Sequence, residues 1–144
     1  MIGHHYKLTV LTKSETFIAH SHLGRVPPVD SIKFKFNKED FLIKQDHYTA
    51  EFVAKDLVGV GDHYWIKAWK NGVFLNKPAE LNIAVDAGFT SGQSVDGQIF
   101  NIPTRRDFVN PVDEVKTKKG TLYPPYLVGD SLHVEIHSLD PIGF

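Results

Sequence analysis

The chain has 144 residues, 42% of them hydrophobic and 23% charged, and it contains no cysteine. That length supports one ordinary hydrophobic core, and the missing cysteine excludes disulfide frameworks, thiolate metal sites and cysteine nucleophiles. A formal net charge of −1 removes the broad positive field that drives bulk nucleic-acid binding.

Period-2 alternation dominates the first half. Tyr6, Leu8 and Val10 alternate with Lys7 and Thr9, and Thr16 to His20 follows a polar break, which reads as a hairpin. The segment Gly24 to Pro28 ends in two prolines and reads as an extended linker. Ile32, Phe34 and Phe36 then alternate with Ser31, Lys33 and Lys35, giving one greasy and one charged face. Tyr48, Ala50, Phe52 and Ala54 predict a further strand, broken by the loop Gly59 to Asp62. From His63 to Lys70, Tyr64, Ile66 and Ala68 share one face, and Trp65, Lys67 and Trp69 share the other. Asn71-Gly72 is a type I′ hairpin signal, because both residues tolerate positive φ, and it makes Val73 to Leu75 the returning strand.

The middle is less regular. Ala79 to Ala87 is compatible with a short helix after Pro78 or with an extended segment. Gly88 to Gly97 reads as a loop, Gln98 to Ile102 as a short strand, and Thr104 to Asn110 as one helical turn. Val112 to Pro125, with Lys116, Lys118 and Lys119, reads as exposed loop. Leu132, Val134 and Ile136 form the apolar side of a last half-buried strand. No repeat or domain boundary interrupts residues 1–144. The expected fold is a single all-β domain, an immunoglobulin-like antiparallel β-sandwich with little helix. No apolar run reaches the about 18 residues of a membrane helix. The N-terminal residues also lack the basic and apolar regions of a signal peptide.

Candidate chemistry is sparse. His20 and His22 stand two apart on a strand, about 7 Å from each other on one face, the spacing at which two imidazoles converge on an ion. His133, Glu135 and His137 share a face likewise, but the outer pair lies about 13 Å apart along the strand, so only neighbours can chelate together. For each cluster the simpler reading is a solvated polar face. Asp86 to Thr90 and Ser94 to Gly97 offer oxygen ligands without the EF-hand spacing. There is no Gly-x-Ser-x-Gly elbow, and Gly59-Val60-Gly61 lacks the third glycine and lysine of a phosphate loop. The residues therefore give no reason to expect an enzyme, and no cofactor is implied. Trp65 and Trp69 are candidate ligand-stacking aromatics, and Lys67 between them fits an exposed face better than a core.

Several segments in order resemble a Bacteroidetes family of domains of unknown function. They are Gly3-His4-His5-Tyr6-Lys7-Leu8-Thr9-Val10, Val26-Pro27-Pro28-Val29-Asp30-Ser31-Ile32, Gly61-Asp62-His63-Tyr64 through Asn71-Gly72, and Gly129 to Ser138. Family members are outer-membrane lipoproteins commonly encoded beside TonB-dependent receptors. They are longer at both ends, so the resemblance implies a central fragment of such a lipoprotein. It also implies a lipid anchor outside these residues, a cell-surface location and a TonB-dependent receptor as partner. The family has no established catalytic or ligand residues to carry over. The expectation is a non-enzymatic binding or accessory domain in nutrient uptake. The alternatives are a structural or adhesive immunoglobulin-like domain without a small ligand, and a metal-dependent enzyme or metal-binding module on His20, His22 or on His133, Glu135.

Overall fold

A computed structural model describes residues 2–89, 95–100 and 109–140. Its strands are β1 (His5–Leu11), β2 (Thr16–His22), β3 (Val29–Asn37), β4 (His47–Ala54), β5 (His63–Lys70), β6 (Val73–Phe74), β7 (Asn82–Val85) and β8 (Leu132–Ser138). All pairings are antiparallel. β1 pairs with β2, and β3 with β4. β5 is the centre of a third sheet, with β8 along one edge and β6 and β7 along the other. The described residues form no α-helix, and none of their helical turns is long and apolar enough to cross a membrane.

The core lies between the β3–β4 layer and the β5 sheet. β4 contributes Ala50, Phe52 and Ala54, while β5 contributes Tyr64, Ile66 and Ala68, the residues on the apolar side of each alternation. Val134 of β8 and Ala84 of β7 extend it. Ile32 of β3 faces Phe52 across the ladder and packs against the same cluster. This is an all-β fold of packed antiparallel sheets, as the period-2 pattern requires.

Local choices follow residue chemistry. Asn71 and Gly72 have φ of 49° and 77°, the left-handed pair of a type I′ turn, and they return the chain from β5 to β6. The ambiguous stretch after Pro78 is divided: Pro78–Glu80 is a single 3-10 turn, and Asn82–Val85 is strand. Ile99 makes an isolated bridge to Lys55, and Phe100 is buried against Phe52 and Tyr64. Residues 101–102 of the expected short strand and 104–108 of the expected helical turn lie outside the described residues.

Residues 112–124 are exposed or half-buried, with Lys116, Lys118 and Lys119 all exposed, as an exposed loop requires; the residues flanking them are buried. Asn110 is buried and behaves as a missing strand: its Oδ1 accepts from the Ala50 N–H at 2.7 Å, and its Nδ2 donates to the Ala50 carbonyl at 3.0 Å. Pro111, Pro125 and Tyr126 are also buried, and the Tyr48 N–H donates to the Tyr126 carbonyl. These contacts satisfy backbone groups on the open edge of β4, which buried backbone demands.

Candidate functional site

The outer face of the β5 sheet gathers most of the chemistry picked out in the sequence. Register places Trp65 between Ile83 and His137, Lys67 opposite Glu135, and Trp69 between Phe74 and His133. Trp65, Lys67 and Trp69 are each half-buried, while Tyr64, Ile66 and Ala68 between them point into the core. A row with one buried side therefore holds its aromatic side in a fixed array.

The array is internally bonded. The Lys67 ammonium sits 4.1 Å from the centre of the Trp65 ring, a cation–π contact. Trp69 lies between Phe74, at 5.1 Å between ring centres, and His133, at 5.2 Å. Glu135 is bracketed by two imidazoles: His133 Nε2 lies 2.9 Å from one carboxylate oxygen and His137 Nε2 lies 2.7 Å from the other. Hydrogen bonding to His133 and then His137 holds the Glu135 carboxyl below the usual carboxylate range. The two histidines grip opposite oxygens of one carboxylate. The structure thus uses the i, i+2, i+4 spacing for a His–Glu–His bracket.

His20 and His22 do share one face of β2. Lys7 stands opposite His20 and His5 opposite His22, with the His5 and His22 rings 4.7 Å apart. Among the described residues no third ligand converges on this pair.

One group of three carboxylates does converge. Ligand atoms of Asp56, Asp86 and Asp96 all lie within 4.8 Å of one another, with Asp56 and Asp86 buried. Asp86 and Asp96 come from the two oxygen-rich segments noted in the sequence, and Asp56 has no such signal around it. All-oxygen donors suit a hard cation. Each carboxylate, however, already accepts protein donors. Asp56 takes the Tyr64 O–H at 2.6 Å and the Gly97 N–H at 3.0 Å. Asp96 takes the Gly59 N–H at 2.8 Å, and Asp86 takes the N–H groups of Gly61 and Asp62. The cluster staples the turn 56–62 to the segments at 86 and 96. Arg25 completes the knot: it pairs with Asp62 at 2.7 Å and donates to the carbonyls of Leu57 and Gly59. Its hydrogen bond to Asp62 raises the guanidinium pKa further. This anchors the linker that leaves the β1–β2 hairpin.

Open grooves also run among the described residues. One of about 680 Å³ follows the β4 edge past Lys35, Asp40, His47 and Asn110. Another, about 710 Å³, lies between β6 and the 111–124 segment, beside Phe74, Lys77 and Asp113. Lys77 joins Asp113 and Glu80 in an ion-paired cluster at its wall. Comparison with protein-family models, curated proteins and solved structures gave no match.

Proposed function

We propose that this chain is a non-enzymatic binding module and that the outer face of the β5 sheet is its recognition surface. The observation that carries the reading is the cross-strand array of Trp65, Lys67, Trp69, Phe74, His133 and Glu135. Half-exposed aromatics mixed with paired charges, held flat on a rigid sheet, have the composition of a recognition patch. The ring contacts already made by Trp65 and Trp69 favour a macromolecular partner laid across the face over a single sugar stacked on one ring. The sequence resemblance supplies the setting: a surface lipoprotein, anchored through a lipid outside these residues, that works as an accessory to a TonB-dependent receptor in nutrient uptake. The run of short alternating strands with turns between them supports reading the β-sandwich as immunoglobulin-like.

Affinity capture of the epitope-tagged full-length protein from its native outer membrane tests this. The expected result is a TonB-dependent receptor in near-equal amount, reduced at least about tenfold by the Trp65→Ala/Trp69→Ala pair, the loss of two central aromatic anchors. Recovery of the protein alone, or from the soluble fraction, would remove the transport reading.

A further inference from the structure

We propose that the apolar face of the β1–β2 hairpin is a homodimer interface, packed against the same face of a second copy of this chain. Register puts Tyr6, Leu8 and Val10 on one face with Ser21, Ala19 and Phe17 opposite them. The reverse face carries His5, Lys7, Thr9 and Leu11 across from His22, His20, Ile18 and Thr16. The first side is free of charged side chains and carries four large apolar or aromatic ones, while the reverse side mixes Lys7 and three histidines with the exposed Leu11 and Ile18, so the first is the more apolar of the two. Yet Tyr6 is 52% exposed, Leu8 62%, Val10 45% and Phe17 55%. β1 is exposed throughout, and β2 as far as Ser21.

A lone two-stranded ribbon is marginally stable in water and needs a covering layer for its apolar face. The root of this one is fixed: Gly3 and Leu23 extend its ladder, and Asp140 accepts the His22 N–H at 2.7 Å. The ribbon is therefore presented at a set angle with that face open.

A second copy fits on charge and on area. The face has no ionisable side chain except the Tyr6 phenol, so two copies meet without like-charge contact, and Lys7 and the histidines stay on the outside. A net charge of −1 adds little long-range repulsion. Half-exposed side chains of these sizes leave roughly 400–500 Å² of surface per copy, or roughly 800–1,000 Å² for the pair, below the roughly 1,200 Å² of stable interfaces and in the range of weak, transient ones. The dimer is accordingly weak and concentration-dependent.

Sedimentation equilibrium of this chain over a wide concentration range tests the proposal. The expected mass rises from 16.2 kDa toward twice that value. Leu8→Glu and, independently, Phe17→Glu shift the midpoint at least about tenfold to higher concentration, while Lys7→Glu on the opposite face does not. Amide exchange in β1 and β2 slows as wild-type concentration rises, a reading that needs no variant. A wild-type chain that stays monomeric to about 1 mM, the weak limit of such association, overturns the proposal. So does a dimer that both glutamate variants leave intact. A cross-linker at residue 8 of the full-length protein that captures only a receptor, or only other segments of the same polypeptide, does so too.

Discussion

Phe52→Ala lowers the unfolding free energy by about 3–5 kcal/mol, whereas Leu8→Ala in the dilute monomer changes it by less than about 1 kcal/mol. Both residues are large and apolar, and both sit at the centre of an alternating strand. Phe52 is 2% exposed, lies against Phe100 and faces Ile32 across the ladder, so its removal opens a cavity between the layers. Leu8 is 62% exposed on a strand that is exposed throughout, so its removal opens no buried cavity. Urea unfolding of the two variants, at concentrations below dimer formation, checks the contrast. Equal losses would mean that the hairpin is part of the folded core.

Stability falls steeply above about pH 10, by about 2.7 kcal/mol per pH unit, as two tyrosines holding their protons in the fold require. Tyr64 and Tyr126 are both fully buried. Burial pushes the Tyr64 phenol far up, and its hydrogen bond to Asp56 adds to the shift. Burial also raises Tyr126, with Asp130 next in effect. Below about pH 10 the phenols are protonated in both states, so this contribution is fully present and constant. Above it the unfolded chain releases two protons that the native state keeps. Stability is then lost with rising pH until the folded-state pKa values are reached. Tyr126→Phe roughly halves the slope, to about 1.4 kcal/mol per pH unit. It also removes the hydrogen bond that the phenol donates to the Val109 carbonyl. Urea midpoints measured from about pH 9 to about pH 11.5 provide the test. A flat profile would contradict burial of both hydroxyls.

Strands were legible wherever alternation runs regularly, whether or not its apolar side is covered. Ile32 to Phe36, with Phe34 and Phe36 about half exposed, and Tyr48 to Ala54 and Leu132 to Ile136 all carry period-2 alternation, and all are strands. The same rule set Trp65, Lys67 and Trp69 opposite the core-facing residues of β5. What alternation cannot give is which strand lies beside which. The meeting of Trp69 with His133, and of Lys67 with Glu135, depends on a pairing between segments more than sixty residues apart. Asn110 carried no signal as a strand substitute, because its role depends on an unfilled edge of β4. The convergence of Asp56 with Asp86 and Asp96 was hidden for a similar reason: it is made by turns from three separate segments. Hairpin exposure was equally illegible, since an apolar row reads the same whether or not a second layer covers it.

The central claim is that the outer face of the β5 sheet meets the partner, and site-specific photo-cross-linking in the native outer membrane tests it most directly. A photoreactive residue replaces Lys67 in the full-length protein. In a parallel sample it replaces Lys33, an exposed residue of β3 in the other layer. Adducts with a TonB-dependent receptor from position 67, and none from position 33, are the predicted result. No receptor adduct from position 67, or equal adducts from both positions, would contradict the account.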